Sequence, residues 1–286
     1  MNADTPLTDG PLTTQAIVKI EAGRSPHRVN DELAGEEPLE IRVRGQAVSV
    51  TMRTPHPEPA VRHQHDAELA VGFLLGEGVI HDPEDVIRVE PCGRPANTDG
   101  NIINVFLSPS CDYDPAQLTR HVFASSSCGL CGKASIDAVH AHFDPVYSQA
   151  RIAPDTLLGL PHKLRSTQPT FDRTGGLHAA ALFDTDGNLL VVREDIGRHN
   201  AVDKALGHAF NQGWLPLTNH VLMVSGRASF EIMQKALSAQ VPIVAAVSAP
   251  SSLAVEFAQD SEQTLIGFLR DGRMNLYARP DRISNV

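Results

Sequence analysis

Two cysteines in the segment SSSCGLCGK (residues 125–133) have the spacing at which thiols do chemistry. Cys128 and Cys131 are three residues apart and precede a helical pattern, so both sulfurs should lie near a helix N-terminus. The helix dipole and the unpaired backbone amides favour an anionic thiolate there, and Lys133 adds positive charge. At least one thiol should therefore be nucleophilic at neutral pH. Such a pair can form a redox disulfide, supply half of a zinc or iron–sulfur site, carry sulfur as a persulfide, or serve structure alone.

The other cysteines and the histidines do not complete an obvious metal site. A tetrahedral zinc site needs a second pair of ligands, but Cys92 and Cys111 are isolated in the sequence. The chain has 13 histidines, of which His63 and His65 lie close together, yet a loop or helix-cap role is commoner for such residues. The pattern weakens the metal hypothesis and leaves it open, and we expect no intrinsic metal.

The stretch 193–207 predicts an anion-binding corner between a strand and a helix. Gly197 permits a tight turn, and the three residues after it fall in the first helical turn, where backbone amides favour an anion. The acid at 195 can accept hydrogen bonds from a purine or from helix amides, although an acid there is most often a helix cap. The candidate ligand contacts are Asp195, Arg198, His199 and Asn200.

A second corner of the same kind follows at residues 224–236. Its candidate contacts are Ser225, Gly226, Arg227 and Ser229. In an open α/β sheet, ligands bind at the carboxyl ends of strands against helix N-termini, so the two corners could face one ligand. Arg270 and Arg273, on either side of the Asp271–Gly272 turn, could add groups that pair with phosphate.

Short apolar runs alternate with helical patterns in the second half of the chain and predict a three-layer α/β sandwich. The expected elements are a hairpin at 177–183 and 189–192, a helix at 198–210, a strand at 221–224, a helix from about 228, a strand at 243–247, a helix at 252–259 and a strand at 265–269.

The first half predicts a small α+β unit. Its expected elements are a hairpin at 39–43 and 48–52, a helix from the N-cap Asp66 to Gly76 or Gly78, strands at 86–89 and 102–107, and a short helix after Asp114. Four regions follow from these patterns. Residues 1–36 are polar and unpatterned and are expected to form a flexible tail, residues 37–124 the small α+β domain, residues 125–152 the CGLC loop with a connecting helix, and residues 153–286 the α/β/α domain.

Composition excludes some classes of partner. The chain has 286 residues and a formal net charge of −10, from 24 Lys plus Arg against 34 Asp plus Glu. A general polyanion binder needs a basic face, so we expect no nucleic-acid partner. No apolar run approaches the roughly 18 residues that cross a bilayer, and the N-terminus lacks a secretory pattern. We expect a cytoplasmic protein with no membrane partner.

Four long motifs in order resemble the formate dehydrogenase accessory sulfurtransferases, the FdhD family. They are SSCGLCGKAS (126–135), FDRTGGLHAAALF (171–183), REDIGRHNAVDKALG (193–207) and VSGRASFEIMQKA (224–236). The resemblance covers roughly residues 37–286, and four motifs are far more specific than a lone CxxC. One departure is the segment TPHPEPAVRHQHDAEL before the first helix, where the family usually has a shorter acidic stretch.

The resemblance implies a cytoplasmic sulfurtransferase that receives sulfur from a cysteine desulfurase. It would deliver that sulfur to the molybdenum cofactor of the formate dehydrogenase apoenzyme, in the bis-molybdopterin guanine dinucleotide form. The persulfide carrier would be Cys128, with Cys131 helping release or relaying the sulfur. The resemblance also suggests a homodimer and a cofactor-binding segment that matches Phe268, Leu269, Arg270, Asp271, Gly272 and Arg273.

The same resemblance implies a cytidine-deaminase-like fold for the C-terminal domain. True deaminases hold zinc with His-x-Glu and Pro-Cys-x-x-Cys at two helix starts, and the helix starts here, 196–200 and 225–229, lack that set. Deamination is therefore disfavoured. Two alternatives to sulfur transfer remain open: a non-catalytic chaperone that binds the cofactor and the apoenzyme, and a zinc or iron–sulfur site that uses CGLC.

Overall fold

The structure, a computed structural model, describes residues 12–93, 100–113, 139 and 142–285. Its first element is an antiparallel hairpin of β1 (Leu12–Lys19) and β2 (His27–Ala34), paired over all eight residues of each strand. The prediction of a flexible tail over 1–36 is wrong for this segment. Apolar and polar residues alternate only weakly in these strands, because an isolated hairpin has no buried face that requires alternation. The β-branched residues Ile17 and Val29 lie opposite each other and support the pairing.

A four-stranded sheet with the order β4-β3-β6-β5 follows. Its strands are β3 (Glu37–Val43), β4 (Gln46–Arg53), β5 (Val86–Pro91) and β6 (Ile102–Leu107). These confirm the predicted hairpin and the two predicted strands. The β3–β4 turn uses Arg44 and Gly45, both with positive φ, as a tight hairpin requires.

Helix α1 (Pro59–Gly76) covers the inner face of this sheet and begins seven residues before the predicted Asp66. Pro59 supplies the first helical position. Asp66 is not an N-cap: it lies inside the helix and accepts a hydrogen bond from Arg53 Nε at 2.9 Å, with both side chains buried. A carboxylate can also mark a buried ion pair, and the sequence alone does not separate that role from a cap.

A six-stranded sheet with the order β12-β11-β10-β9-β7-β8 forms the second half. Its strands are β7 (His178–Asp184), β8 (Leu189–Asp195), β9 (His220–Val224), β10 (Ile243–Ala246), β11 (Thr264–Arg270) and β12 (Arg273–Ala278). Strands β9, β10 and β11 are parallel, while β7 runs antiparallel to β9 and β12 antiparallel to β11.

Helices cover both faces of this sheet. They are α2 (Pro154–Arg165), α3 (Pro169–Thr174), α4 (Arg198–Asn211), α5 (Phe230–Ser238) and α6 (Ser252–Asp260). Side chains of α4, α5 and α6 share one core with one face, and those of α2 share a second core with the other. The three-layer α/β/α prediction is confirmed. Sequence reasoning missed α2, α3 and β12, which are short or, in α2, interrupted by Pro161.

The first core extends beyond one sheet. It combines α1 and the four-stranded sheet with the helices of the α/β/α layer. Helices α1 and α4 cross where glycine removes the side chain: a Cβ on Gly72 would lie 1.9 Å from the Asp203 carbonyl oxygen, and one on Gly207 1.9 Å from that of Glu68. Each predicted domain contributes one sheet, and the boundaries between the four regions stay a prediction.

Candidate functional site

The two thiols of the CGLC motif lie outside the described residues. So do Lys133, the helix predicted after Asp114, and most of the predicted helix at 134–142. The described cysteines, Cys92 and Cys111, are both buried, and burial raises the pKa of the Cys111 thiol. A buried thiol with a raised pKa is a poor nucleophile, so Cys111 is a poor candidate for thiol chemistry.

The first predicted corner has the expected placement at the start of α4. Helix α4 begins at Arg198, so Arg198, His199 and Asn200 occupy its first turn. Gly197 is needed for space and not for a tight turn: its φ is −88°, but a Cβ there would lie 2.9 Å from Asn200 Nδ2. The glycine therefore lets the strand end approach the helix closely.

Asp195 lies behind this corner, fully buried. Its carboxylate accepts hydrogen bonds from the Thr54 and Gly197 amides at 3.1 and 2.8 Å, from Asn200 Nδ2 at 3.0 Å and from Lys204 Nζ at 2.6 Å. These protein donors occupy the oxygens that would bind a purine. We therefore expect Asp195 to position the start of α4 and not to touch a ligand.

Asn200 is also tied into the protein. Its Nδ2 donates to the Met52 carbonyl at 2.7 Å, and its Oδ1 accepts from the Thr51 hydroxyl at 3.1 Å. These bonds link the end of β4 to the first turn of α4. Of the residues predicted for this corner, Arg198 and His199 are left to face a ligand.

Arg198 carries an unused hydrogen-bond donor. Its Nε is buried and has no hydrogen-bond partner among the described residues. An orphaned guanidinium donor at a helix N-terminus is a feature that an anionic ligand would satisfy. The same positive charge acts on its neighbours: burial, and secondarily Arg198, lowers the pKa of His178 and holds that of His199 at about 4.

The second predicted corner lies beside the first. Gly226 lies so close that a Cβ on it would be 3.4 Å from His178 Nδ1 and 3.9 Å from the Arg198 Cβ. Arg227 is exposed, and Ser229 Oγ lies 3.3 Å from His199 Nε2. The Ser225 hydroxyl accepts a hydrogen bond from the Ala179 amide at 2.9 Å. The two corners therefore meet at one edge of the sheet.

This edge continues through the strand ends that follow. The Ser248 amide, after β10, donates to the Gly226 carbonyl at 3.4 Å, and the Phe268 amide in β11 donates to the Ser248 carbonyl at 3.1 Å. The Ser251 amide donates to the Ala228 carbonyl at 3.0 Å. Because β9, β10 and β11 are parallel, their carboxyl ends form one continuous rim with the starts of α4 and α5.

The segment 268–273 closes the rim at the β11–β12 hairpin. Phe268 is half-buried with φ +52°, while Leu269 is fully buried in the second core and cannot reach a ligand directly. Asp271 and Gly272 form the turn, both with positive φ. The exposed residues of this segment are Arg270, Asp271, Gly272 and Arg273.

Sequence reasoning missed His178 as a site residue. It starts β7, and because β7 is antiparallel to β9, it lies at the edge where β9 ends. The available signal was its place in the motif TGGLH directly before an apolar strand. Ser248 was missed too, because the loop after β10 carries no charged residue.

Within the described residues, no three His, Cys, Asp or Glu side chains are arranged to hold a metal ion. The helices described also include none with the length and apolar character that a bilayer crossing requires.

Comparison with known proteins gives a consistent result over nearly the whole chain. A model of the family described as FdhD/NarQ matches residues 34–284. A protein of Mycolicibacterium paratuberculosis named "Sulfur carrier protein FdhD" is 51% identical over 272 residues, which cover 93% of this chain and 97% of that protein. A protein of the same name from Streptomyces coelicolor is 48% identical, with 94% of each chain covered.

The fold also matches a solved structure. The crystal structure of a candidate formate dehydrogenase accessory protein from Desulfotalea psychrophila superposes with a TM-score of 0.73. The match covers 95% of this chain and 99% of the other at 24% identity. At that identity the likeness supports the fold alone.

Proposed function

This chain belongs to the FdhD/NarQ family, and on that premise we propose that it is a sulfur carrier in formate dehydrogenase maturation. Cys128 receives sulfur from a cysteine desulfurase as a persulfide and delivers it to the molybdenum cofactor. The observation that carries the proposal is the intact CGLC pair in a chain about half identical, over most of its length, to proteins named as sulfur carriers.

The loading step is a thiol–persulfide exchange. The Cys128 thiolate attacks the outer sulfur of the donor persulfide, the donor S–S bond breaks, and the donor cysteine leaves as a thiolate. A new S–S bond then joins that sulfur to Cys128, with no net oxidation. A helix N-terminus and Lys133, both expected from the sequence, would hold Cys128 as the thiolate that this step requires.

Release has two balanced routes. In direct transfer, the outer sulfur takes two electrons from the reduced molybdenum of the bound cargo as it becomes a sulfido group, and Cys128 returns as a thiolate. In the second, the Cys131 thiolate attacks Cys128 Sγ, hydrosulfide leaves to bind the cargo, and two equivalents of a thiol reduce the resulting Cys128–Cys131 disulfide before the next cycle, themselves becoming a disulfide. Cys131 is essential only for the second route.

The cargo site in this proposal is the rim of the six-stranded sheet. The guanine nucleotide ends of the bis-molybdopterin guanine dinucleotide cofactor carry phosphates. Arg198, with its free buried Nε, and the amides at the starts of α4 and α5 would bind them. Exposed Arg227, Arg270 and Arg273 extend the same positive surface. Asp195 and Asn200 hold the α4 corner in place.

Maturation of formate dehydrogenase tests the proposal in cells. We expect Cys128→Ala to abolish the sulfur-dependent activity of the enzyme, while Cys111→Ala, which removes a buried thiol outside the motif, retains it. Formate dehydrogenase is then purified from the Cys128→Ala strain. If it holds the cofactor but lacks the sulfur ligand of molybdenum, sulfur delivery is the step that failed. If Cys128→Ala matures the enzyme as well as the parent does, the protein is a cofactor-binding chaperone and the sulfur-carrier proposal is wrong.

Cytoplasmic location, the desulfurase partner and a homodimeric state belong to the same proposal. All three derive from the family resemblance. Pull-down of a cysteine desulfurase by the intact protein, weakened by Cys128→Ala, would support the first transfer step.

A further inference from the structure

Thr54 directly follows β4 and lies against the turn that starts α4, although the strand and the helix belong to different halves of the chain. It is 7% exposed and precedes Pro55, which is buried as well. A residue before proline is confined to extended backbone, so the chain stays extended where it meets the turn.

The amide, the hydroxyl and the carbonyl of Thr54 all bind the segment around Asp195. Its amide donates to the Asp195 carboxylate at 3.1 Å, and its hydroxyl oxygen accepts from the Ile196 amide at 3.2 Å. Its carbonyl oxygen accepts from Lys204 Nζ at 3.3 Å. One residue next to the four-stranded sheet thus holds the end of β8, the turn after it and the second turn of α4.

The turn that Thr54 holds leads directly to Arg198. Ile196 and Gly197 are the two residues between the end of β8 and Arg198. Glycine restricts its own backbone least, so the turn depends on outside contacts for its shape. Those contacts come from Thr54 and from the Asp195 carboxylate, which also accepts from the Gly197 amide at 2.8 Å. A shift of this turn would move the Arg198 guanidinium.

The ion pair of Lys204 and Asp195 behind the turn also favours a positioning role. Lys204 Nζ lies 2.6 Å from Asp195 Oδ2, and both side chains are almost wholly buried. Burying two charges offsets much of their attraction, and an apolar pair of similar size is often as stable. What the pair adds is direction, because its charges also bind Thr54 and the Gly197 amide.

We propose that Thr54 is a positioning residue for the cargo site. It sets where Arg198 presents its buried Nε, which has no partner among the described residues, to a phosphate of the guanine nucleotide. The inference rests on the proposed function, which assigns those phosphates to the rim. Thr54 itself touches no ligand, because its amide, hydroxyl oxygen and carbonyl oxygen bind the protein. The α/β/α layer then depends on the other half of the chain for the shape of its ligand corner.

Calorimetric titration of guanosine diphosphate into the full chain tests the proposal. Thr54→Val keeps the shape of the side chain and removes the oxygen that accepts from the Ile196 amide. We expect its affinity to fall about tenfold, within the loss that follows removal of a hydrogen bond to a charged group. Thr54→Ser, which restores that oxygen, should bind as the parent does.

Thr264→Val is the matched control for lost stability. Thr264 is fully buried, and its hydroxyl donates to the Arg279 carbonyl at 2.7 Å. It starts β11, at the end of that strand away from the rim. Thermal denaturation should show that both valine variants are destabilised, whereas Thr54→Val alone binds guanosine diphosphate more weakly. An equal loss of affinity in the two valine variants overturns the proposal.

A double-mutant cycle tests whether Thr54 acts through Arg198. If it does, Thr54→Val combined with Arg198→Ala should bind no more weakly than Arg198→Ala alone. Losses that multiply would show an independent role and overturn the proposal. If Thr54→Val does not fold, Thr54→Cys takes its place with the same expected order of affinities, because its sulfur accepts hydrogen bonds only weakly.

The same titrations separate this proposal from the function on which it rests. A parent chain that does not bind guanosine diphosphate overturns the cargo site and the positioning role together. A parent that binds it, with a Thr54→Val chain that binds equally well, overturns the positioning role and leaves the cargo site standing.

Discussion

At the residue scale, the polar side chains of the rim divide into those that face outward and those that hold them. The sequence predicted that Arg198 and His199 lie in the first turn of a helix, because a strand, a glycine and a helical pattern follow one another there, and the helix does begin at Arg198. It could not place Asp195, whose partners Thr54 and Lys204 come from a different strand end and from the next turn of the helix. Local patterns thus predicted the helix start, and only the tertiary contacts reveal which residues are buried.

Removing the Arg198 guanidinium should weaken binding of guanosine diphosphate. Hydrogen bonds to a charged group are worth roughly 1.5–3 kcal/mol, so Arg198→Ala should lower the affinity about 10- to 150-fold. Isothermal titration calorimetry measures this. Arg151→Ala is the control, since the exposed Arg151 contacts the Asp281 carbonyl away from the rim and its loss should leave affinity unchanged. Equal affinity for the Arg198 variant and the parent would remove the rim as the nucleotide site.

The half-buried His65 should make stability depend on pH. Burial, reinforced by the charges of Arg193 and Lys204, lowers the pKa of His65 from 6.5 to about 3. The folded protein therefore holds the imidazole neutral while the unfolded chain takes up a proton below pH 6.5. Its stabilising contribution is complete above about pH 6.5 and is lost as the pH falls towards 3.

The His65→Gln variant isolates this contribution. Between pH 6.5 and 4, the parent should lose more free energy of unfolding than the variant does, as measured by urea denaturation at each pH. The comparison cancels other titrating groups, including Asp203, whose pKa burial raises to about 6 and whose effect has the opposite sign. Parallel curves for the two proteins would contradict a His65 held neutral in the fold.

At the element scale, the crossing of α1 and α4 determines how the two halves fit together. The sequence predicted both helices, but α1 begins at Pro59 and not at Asp66. The sequence alone suggested an N-cap at Asp66, because an acid before an apolar helical pattern is typical of a cap. In the fold, Asp66 instead pairs with Arg53 inside the core. The short helices α2 and α3 were missed because Pro161 and the six-residue length of α3 give weak helical signals.

The glycines at this crossing should tolerate no side chain. Because a Cβ on Gly72 would overlap the Asp203 backbone, Gly72→Ala should destabilise the protein by about 3 kcal/mol or more, or prevent folding. Gly159→Ala, within α2 and with no atom within 4 Å of its Cβ position, should be neutral or stabilising by up to about 1 kcal/mol. Thermal denaturation compares them, and equal stability of the two variants would contradict the close crossing.

At the scale of the whole molecule, a single sheet edge gathers what the sequence shows as separate motifs. Strands β8, β9, β10 and β11 all end at one rim, and the order of elements allowed that prediction because parallel strands end on the same side. The hairpin at the N-terminus was not predicted, because its strands lack a buried face. The net charge of −10 is compatible with an anionic cargo, since Arg198 and the helix starts set the local potential at the rim.

The central claim is that Cys128 carries sulfur, and peptide mapping by mass spectrometry tests it most directly. The purified chain is incubated with a cysteine desulfurase and cysteine, then digested and mapped. We predict a gain of one sulfur atom on the peptide with Cys128, absent in Cys128→Ala and absent without the desulfurase. A parent chain that gains no sulfur there, or a Cys128→Ala chain that gains as much, would contradict the account.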